Sequence, residues 1–481
     1  MTKQYLYGLL FFVTVIVLGS CYKDKGNYDY TDTDEVVLKT IRDTFNVVLP
    51  DSLKINLTIE ESMANAADLS FQWVLYPTAT PLTRRTLDTT QNLKAFITEL
   101  PGSYYLTVYA KDRKTGLEYQ KRVYVSVISP YSEGWLVVEE KNGACDISMI
   151  SPIDTIFRNI YSTQNNGELL PAGTNRIPEI RTYSTDQRVF IISPADMIQV
   201  NYSNFAKIMD FPEFFWETPA VVKPQEYFAN SYDEMMLNNG KIHSRSLNVP
   251  PNSVNKLNLP PEGKYYIAPY EIYTGSGYEV YDTIGQKFYM LNTASGNLTP
   301  ITITGTPIFN MNNIGKKLLY TEVNTSGGQC NAFFKNNNDD SLFAFVYNYS
   351  SSQTTTKERY DGLNAPGLKD ARLFVGSRLL QLLYYASGNS IYKLDIPAKT
   401  AAPIYTFPAG TEIRAMKMYR NLKNSKDPNH NNLIAVATHE NGQGKVYYFP
   451  LATTGNFTNN TYSKVFTGFN KINEITFKSQ K

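Results

Sequence analysis

Three histidines, three cysteines and 44 acidic residues bound the chemistry open to this chain. His243, His430 and His439 do not form an H-E-x-x-H helix, and there is no C-x-x-C pair, so no familiar zinc spacing is present. A Ser–His–Asp constellation would have to recruit one of the three. His243 and His439 fall in or beside expected hairpins, where a solvated or half-buried imidazole is the ordinary outcome. Neither a G-x-S-x-G elbow nor a G-x-x-x-x-G-K-[ST] loop occurs. Gly442-Gln443-Gly444 looks like part of a phosphate loop, but a strand pattern follows it, so no helix N-terminus would face a phosphate. It reads as a hairpin turn. Asn336-Asn337-Asn338-Asp339-Asp340 offers oxygen ligands without the spacing or closing Glu of an EF-hand, and it reads as a polar loop. Glycoside cleavage needs two carboxyls about 5–10 Å apart. The acidic residues could supply such a pair, but nothing in the sequence singles one out. No catalytic residue, metal ligand or cofactor is assigned, and a non-enzymatic protein is expected. A propeller glycoside hydrolase or lyase is the alternative.

Two aromatic stretches could bind instead of react. Phe211-Pro212-Glu213-Phe214-Phe215-Trp216 packs four large rings into six residues. It reads either as a core plug or as a platform on which Phe214, Phe215 and Trp216 meet a ligand. Tyr265-Tyr266-Ile267-Ala268-Pro269-Tyr270 and Tyr273-Thr274-Gly275-Ser276-Gly277-Tyr278 add Tyr270, Tyr273 and Tyr278 as candidates. Flat rings pack on sugars or peptide side chains, and phenol tips supply hydrogen bonds.

Cys21 carries a different chemistry. It follows Leu18-Gly19-Ser20 and an uncharged run, Leu6 to Leu18, behind Lys3. Thirteen residues suit a signal-peptide h-region and are too short to cross a bilayer core of about 30 Å. The layout is that of a bacterial lipoprotein signal: residues 1–20 are removed and the Cys21 thiol takes the lipid. The mature chain would then be tethered to a membrane surface outside the cytoplasm. If Cys21 is lipidated, only Cys145 and Cys330 remain, and two free thiols are expected.

The elements that must carry these groups read as strands almost throughout. After residue 20 the chain holds 45 basic and 44 acidic residues, with no Lys/Arg block, so it lacks a nucleic-acid footprint. A polar tether, 21–33, leads into seven short strand candidates within 34–129, the pattern of an immunoglobulin-like sandwich. Trp73 falls where such sandwiches bury an aromatic. Along Tyr105-Leu106-Thr107-Val108-Tyr109-Ala110, period two puts Leu106, Val108 and Ala110 on a core face and Tyr105, Thr107 and Tyr109 on a wet one. From 135 to 481 an apolar strand, a turn and a second strand recur. The first strands centre on Val137, Phe190, Met236, Phe288, Phe343, Leu383 and Ile434, separated by 53, 46, 52, 55, 40 and 51 residues. A paired-strand unit of roughly 40–50 residues is a propeller blade. The chain is therefore all-β, with a sandwich followed by a β-propeller of seven blades, six or eight being its neighbours.

The order of parts also resembles a family. Cys21 followed by Asp24-Lys25-Gly26-Asn27-Tyr28-Asp29-Tyr30, and Glu133-Gly134-Trp135-Leu136-Val137-Val138 with Asn142-Gly143 soon after, are similar to the PKD-like lipoproteins of Gram-negative nutrient-utilisation loci. Pro101 to Asp112 resembles the late strand of a PKD-type sandwich, and Val280 to Phe288 a mid-chain stretch of the same family. The resemblance implies an accessory lipoprotein of the outer membrane, facing the cell exterior. Its implied partners are a SusC/SusD-type transporter and other surface lipoproteins, with an oligosaccharide or peptide as ligand. It transfers no site residues.

Overall fold

The computed structural model describes residues 35–481 apart from 63–67, 80–82, 184–185, 231–232, 247–255, 276, 325–327 and 351–352. The signal segment and the tether, with Cys21, lie outside the described residues. The chain divides into two compact units between Ile128 and Ser129.

The first unit is a sandwich. Its five-stranded sheet runs, in space, Thr44–Val48, Glu118–Ile128, Gly102–Asp112, Leu69–Pro77, Arg85–Asp88. The first two strands are parallel. Val36–Thr40 pairs with Leu57–Glu61, and Ser52–Ile55 with Leu93–Phe96. The apolar stretch Leu53–Ile59 is thus split between two strands in two sheets. The chain breaks at Asn56, and the Leu57 amide turns to the Asn92 side chain at 3.0 Å. Trp73, Leu106, Val108 and Ala110 are fully buried, and the Trp73 indole donates to the Thr90 carbonyl at 3.0 Å. The Tyr104 hydroxyl returns to the Leu100 carbonyl at 2.6 Å, a corner of the kind that ties such sandwiches. The expected wet face needs one correction: Thr107 is buried, sharing a 3.2 Å hydrogen bond with Tyr76. Tyr76, Tyr105 and Tyr124 run across that face at centroid spacings of 5.7 and 5.0 Å, with Arg122 over Tyr105.

The second unit consists, among the described residues, of seven sheets in chain order. Blade 2 contains Thr182–Tyr183, Asp186–Ser193, Asp196–Asn201 and Lys207–Met209. Blade 3 has three strands, Pro224–Ala229, Asp233–Asn238 and Lys241–Ser246. Blade 4 has Ile267–Tyr273, Tyr278–Asp282, Lys287–Asn292 and Asn297–Pro300, and blade 5 has Lys317–Val323, Gln329–Lys335, Leu342–Tyr349 and Thr354–Asp361. Blade 6 has Phe374–Gly376, Leu382–Ser387, Ser390–Asp395 and Thr400–Thr406, and blade 7 has Glu412–Met418, Leu433–Glu440, Gln443–Pro450 and Lys464–Phe469. Blade 1 closes the ring. The last strand of the chain, Lys471–Lys478, pairs with Gly134–Lys141 as that blade's inner strand, followed outward by Ala144–Ile150 and Ile156–Phe157.

Seven blades follow from where the apolar side chains go. The second strands are largely buried on both faces, because successive side chains point to opposite sides of the sheet and both sides are covered. Leu136 and Val138 pack towards blade 2 with Val189 and Ile191. Trp135 and Val137 pack towards blade 7 with Ala435 and Ala437. The same alternation gives one buried cluster at every seam between neighbouring blades. The tight hairpins Asn142-Gly143, Asn239-Gly240 and Asn441-Gly442 all carry positive φ at both residues, which matches strand twist in a two-residue turn. Gly442 and Gln443 therefore belong to a hairpin, as the sequence pattern implied. Two of the seven recurring units sit one strand late. Phe288 and Phe343 lie in third strands, whereas the other five centres lie in second strands, so the step into Phe288 (52) is lengthened and the step out of Phe343 (40) is shortened.

Candidate functional site

The inner strands of six blades and, from blade 2, the segment 175–181 line a lumen of about 1010 Å³. Each inner strand ends its sheet, so one edge of its backbone faces this space. Seven basic and five acidic side chains line it, together with Tyr270, Tyr273, Tyr320, Phe374 and Tyr349.

The charges fall into two sets. In one, Arg176 pairs with Glu226 and lies 3.6 Å from Glu474, which also meets Lys417 at 3.3 Å. Blades 1, 2, 3 and 7 are joined by this set. Burial pushes the Lys417 ammonium down, with Glu474 opposing it. In the other, Glu179 accepts from Arg181 at 2.7 Å and pairs with Arg420. Burial pushes the Glu179 carboxyl up, but Arg420, Arg181 and Arg378 outweigh it and hold it well below the usual range. Glu271 goes the other way. Burial, reinforced by Glu179 and Glu226, raises it to about 7.

The seam between blades 5 and 6 opens on the same lumen. Tyr320 stacks on Phe374 at 5.0 Å and 15°, and Tyr270 meets Tyr320 edge-on at 5.2 Å. The Tyr320 hydroxyl donates to Glu322, whose other oxygen presses on Gly376. A Cβ at Gly376 would lie 1.4 Å from that oxygen, so any larger residue there must displace the Glu322 carboxylate. Arg378 follows two residues on, and no hydrogen bond or ion pair among the described residues holds it.

Of the residues singled out from sequence, Tyr270 and Tyr273 line the lumen. Phe214 and Phe215 do not present a face to a ligand. They are 3 % exposed and pack with Phe190, Phe211, Tyr227 and Met236 at the seam of blades 2 and 3. A short 3₁₀ turn, Phe211–Phe214, drives them inward, held by the Asp210 amide donating to Glu213 at 2.7 Å. This is the core plug; Trp216 alone turns out, 60 % exposed and away from the lumen lining. Tyr278 is also core: it is fully buried, and its hydroxyl donates to the Asp233 carbonyl at 3.0 Å. His243 is buried edge-on to Phe215, and burial lowers its pKa. Cys145 and Cys330 are free buried thiols, both pushed up by burial.

The Arg–Glu lining was not singled out from sequence. A signal was available: charged residues alternate with apolar ones along Glu412-Ile413-Arg414-Ala415-Met416-Lys417-Met418 and Glu179-Ile180-Arg181. These segments border the lumen, so their apolar pattern is weaker than that of the second strands.

Among solved structures, the chain is similar to a quinoprotein alcohol dehydrogenase-like protein from Bacteroides thetaiotaomicron, at 12 % identity and a TM-score of 0.44, over 92 % of this chain and 99 % of that one. It is also similar to a protein from Lactobacillus plantarum, at 12 % identity and a TM-score of 0.43, over 72 % and 99 %. Apo AztD from Citrobacter koseri aligns over 86 % and 99 % at 8 % identity, with a TM-score of 0.35. No curated protein matches the chain. Residues 21–173 match the model of the PKD-like family, a match that begins at Cys21, spans the sandwich and runs into blade 1.

Proposed function

We propose that this protein is a lipid-anchored, non-enzymatic binding protein of the outer-membrane surface, accessory to a SusC/SusD-type importer, and that its ligand, a glycan or peptide, sits in the propeller lumen. The observation that carries the reading is the lumen itself. It is a single wet space of about 1010 Å³, reached by residues from every blade and lined by charged groups and tyrosines. Ligand pockets are typically about 300–1,000 Å³ with a few convergent polar groups. Most of its carboxylates are committed to arginine or lysine partners, an arrangement that fixes shape and charge and suits recognition better than proton transfer. The lipid signal at Cys21 and a family match that starts at the same residue support the anchor. Among the described residues no helix is long and apolar enough to cross a membrane. The test is isolation of the tagged full chain from native outer membranes. A lipid on Cys21 and co-isolation of a SusC/SusD-type pair are expected; an unmodified chain recovered alone from the periplasm would contradict the reading.

One observation favours hydrolysis as a second reading. Glu271 is raised to about 7 while Glu179, which acts on it, is held ionised. Carboxyls pushed apart in this way can divide acid and base roles. Product release from a polysaccharide panel, abolished by Glu271→Gln, would establish this reading over the first.

A further inference from the structure

We propose that the lumen takes an oligopeptide and that Arg378 anchors its C-terminal carboxylate. This deepens the reading of the lumen as a binding channel and rests on it.

Arg378 stands out because no hydrogen bond or ion pair among the described residues holds its guanidinium, which acts on Glu179 and Glu271 only through space. Arg176 and Lys417 are committed to Glu226 and Glu474, and Arg181 and Arg420 to Glu179. Arg414 donates to the Ile472 carbonyl at 3.2 Å and to Asn473 at 3.3 Å. Arg378 is half-buried in the same space and bonds to none of the described residues. A guanidinium offers five donors in a fixed plane, and a carboxylate meets two of them side by side. Arg372, also without a hydrogen bond or ion pair among the described residues, is exposed and is served by bulk water. Basic groups outnumber acidic ones in the lining by two, so the net field favours an anionic group.

Three features favour a peptide over an acidic sugar. First, the rings are already spent on one another. Tyr320 stacks on Phe374 and meets Tyr270 edge-on, and Tyr273 packs on Tyr278. Few flat faces remain for a sugar ring. Second, the lining carries both signs of charge beside apolar Ile413, Met416 and Met418, which suits mixed side chains. Third, the inner strands present open edges to the lumen, and an extended peptide can pair with such an edge through its main chain. Arg378 lies just past the end of the inner strand Phe374–Gly376, and Arg420 just past Glu412–Met418. The carboxylate would therefore sit towards the mouth where the inner strands end, with the rest of the peptide running along them.

The experiment is a calorimetric titration of the full chain with a random tetrapeptide pool bearing free C-termini, with the same pool amidated, and with oligogalacturonide. Wild type, Arg378→Gln and Arg378→Lys are compared, each shown by its melting curve to be folded. The wild type is expected to prefer the free-acid pool by roughly tenfold or more. Arg378→Gln should erase that preference while leaving the weak binding of the amidated pool unchanged, and Arg378→Lys should keep part of it. Equal binding of both pools, or a preference that survives Arg378→Gln, overturns the proposal. So does tighter binding of oligogalacturonide than of either pool, although that result leaves the binding channel standing. Absence of binding by all three probes removes both.

Discussion

The buried charges of this protein make single substitutions informative. Glu234 is 1 % exposed and lies between Arg188 and Arg245, with the Tyr227 hydroxyl donating to it at 2.8 Å. Glu234→Ala removes the anion from this triad and should cost about 3–5 kcal/mol, read by denaturant unfolding. Glu279, also 1 % exposed, accepts from the Thr354 hydroxyl, and burial raises it from 4.5 to about 7. Between those pH values the native state keeps a proton that the unfolded chain has released. Stability therefore falls as pH rises through this window. Glu279→Gln should flatten the fall, raising Tm at pH 8 by about 2–4 °C and changing little at pH 4. Thermal melts across pH decide it; an unchanged slope would show that Glu279 titrates normally. None of these residues was marked by the sequence, because a buried Glu is recognised only by what surrounds it. The aromatic run at 211–216 was visible in the sequence, but its split into three core rings and one exposed Trp216 depends on a one-turn helix whose direction the sequence pattern did not specify.

At the level of elements, the strands most legible in the sequence were those with two covered faces. In blades 1, 2, 3, 6 and 7 the second strands read as short apolar runs, and in blades 1, 3, 6 and 7 the turn after them is marked by Asn-Gly or Gly-Asn. The inner strands were missed because they carry the lumen charges and look like polar linkers. Close backbone approaches fix the hairpins further. A Cβ at Gly277 would lie 2.1 Å from the Leu291 carbonyl oxygen, and one at Gly444 would lie 2.1 Å from that of Asn470. Gly277→Ala must push apart the strands Tyr278–Asp282 and Lys287–Asn292. A loss of about 2 kcal/mol or more is expected, with faster amide exchange confined to blade 4. Exchange that speeds up equally in all blades would mean that the blades do not open separately.

The whole molecule is held by circular closure. The strand Lys471–Lys478 joins residues more than 300 positions apart in sequence by pairing with Gly134–Lys141, and Ile472 and Ile475 fill the seam with Trp135 and Ala437. A chain ending before Lys471 should lose cooperative unfolding altogether, as judged by calorimetry, because two open sheet edges and a broken seam replace the ring. The architecture was legible in the sequence because seven similar units cannot bury their faces except around an axis. What the ring encloses was not legible, since the lumen is assembled from short segments of every distant repeat. The central claim is that this lumen binds its ligand and returns it unchanged. Hydrogen–deuterium exchange on the full chain, with and without the free-acid peptide pool, tests it most directly when the pool is analysed afterwards by mass spectrometry. The account predicts protection concentrated in Ile267–Tyr273, Lys317–Val323, Phe374–Gly376 and Glu412–Met418, with the peptides recovered intact. Protection confined to the outer strands or the sandwich, or recovery of cleaved peptides, would contradict it.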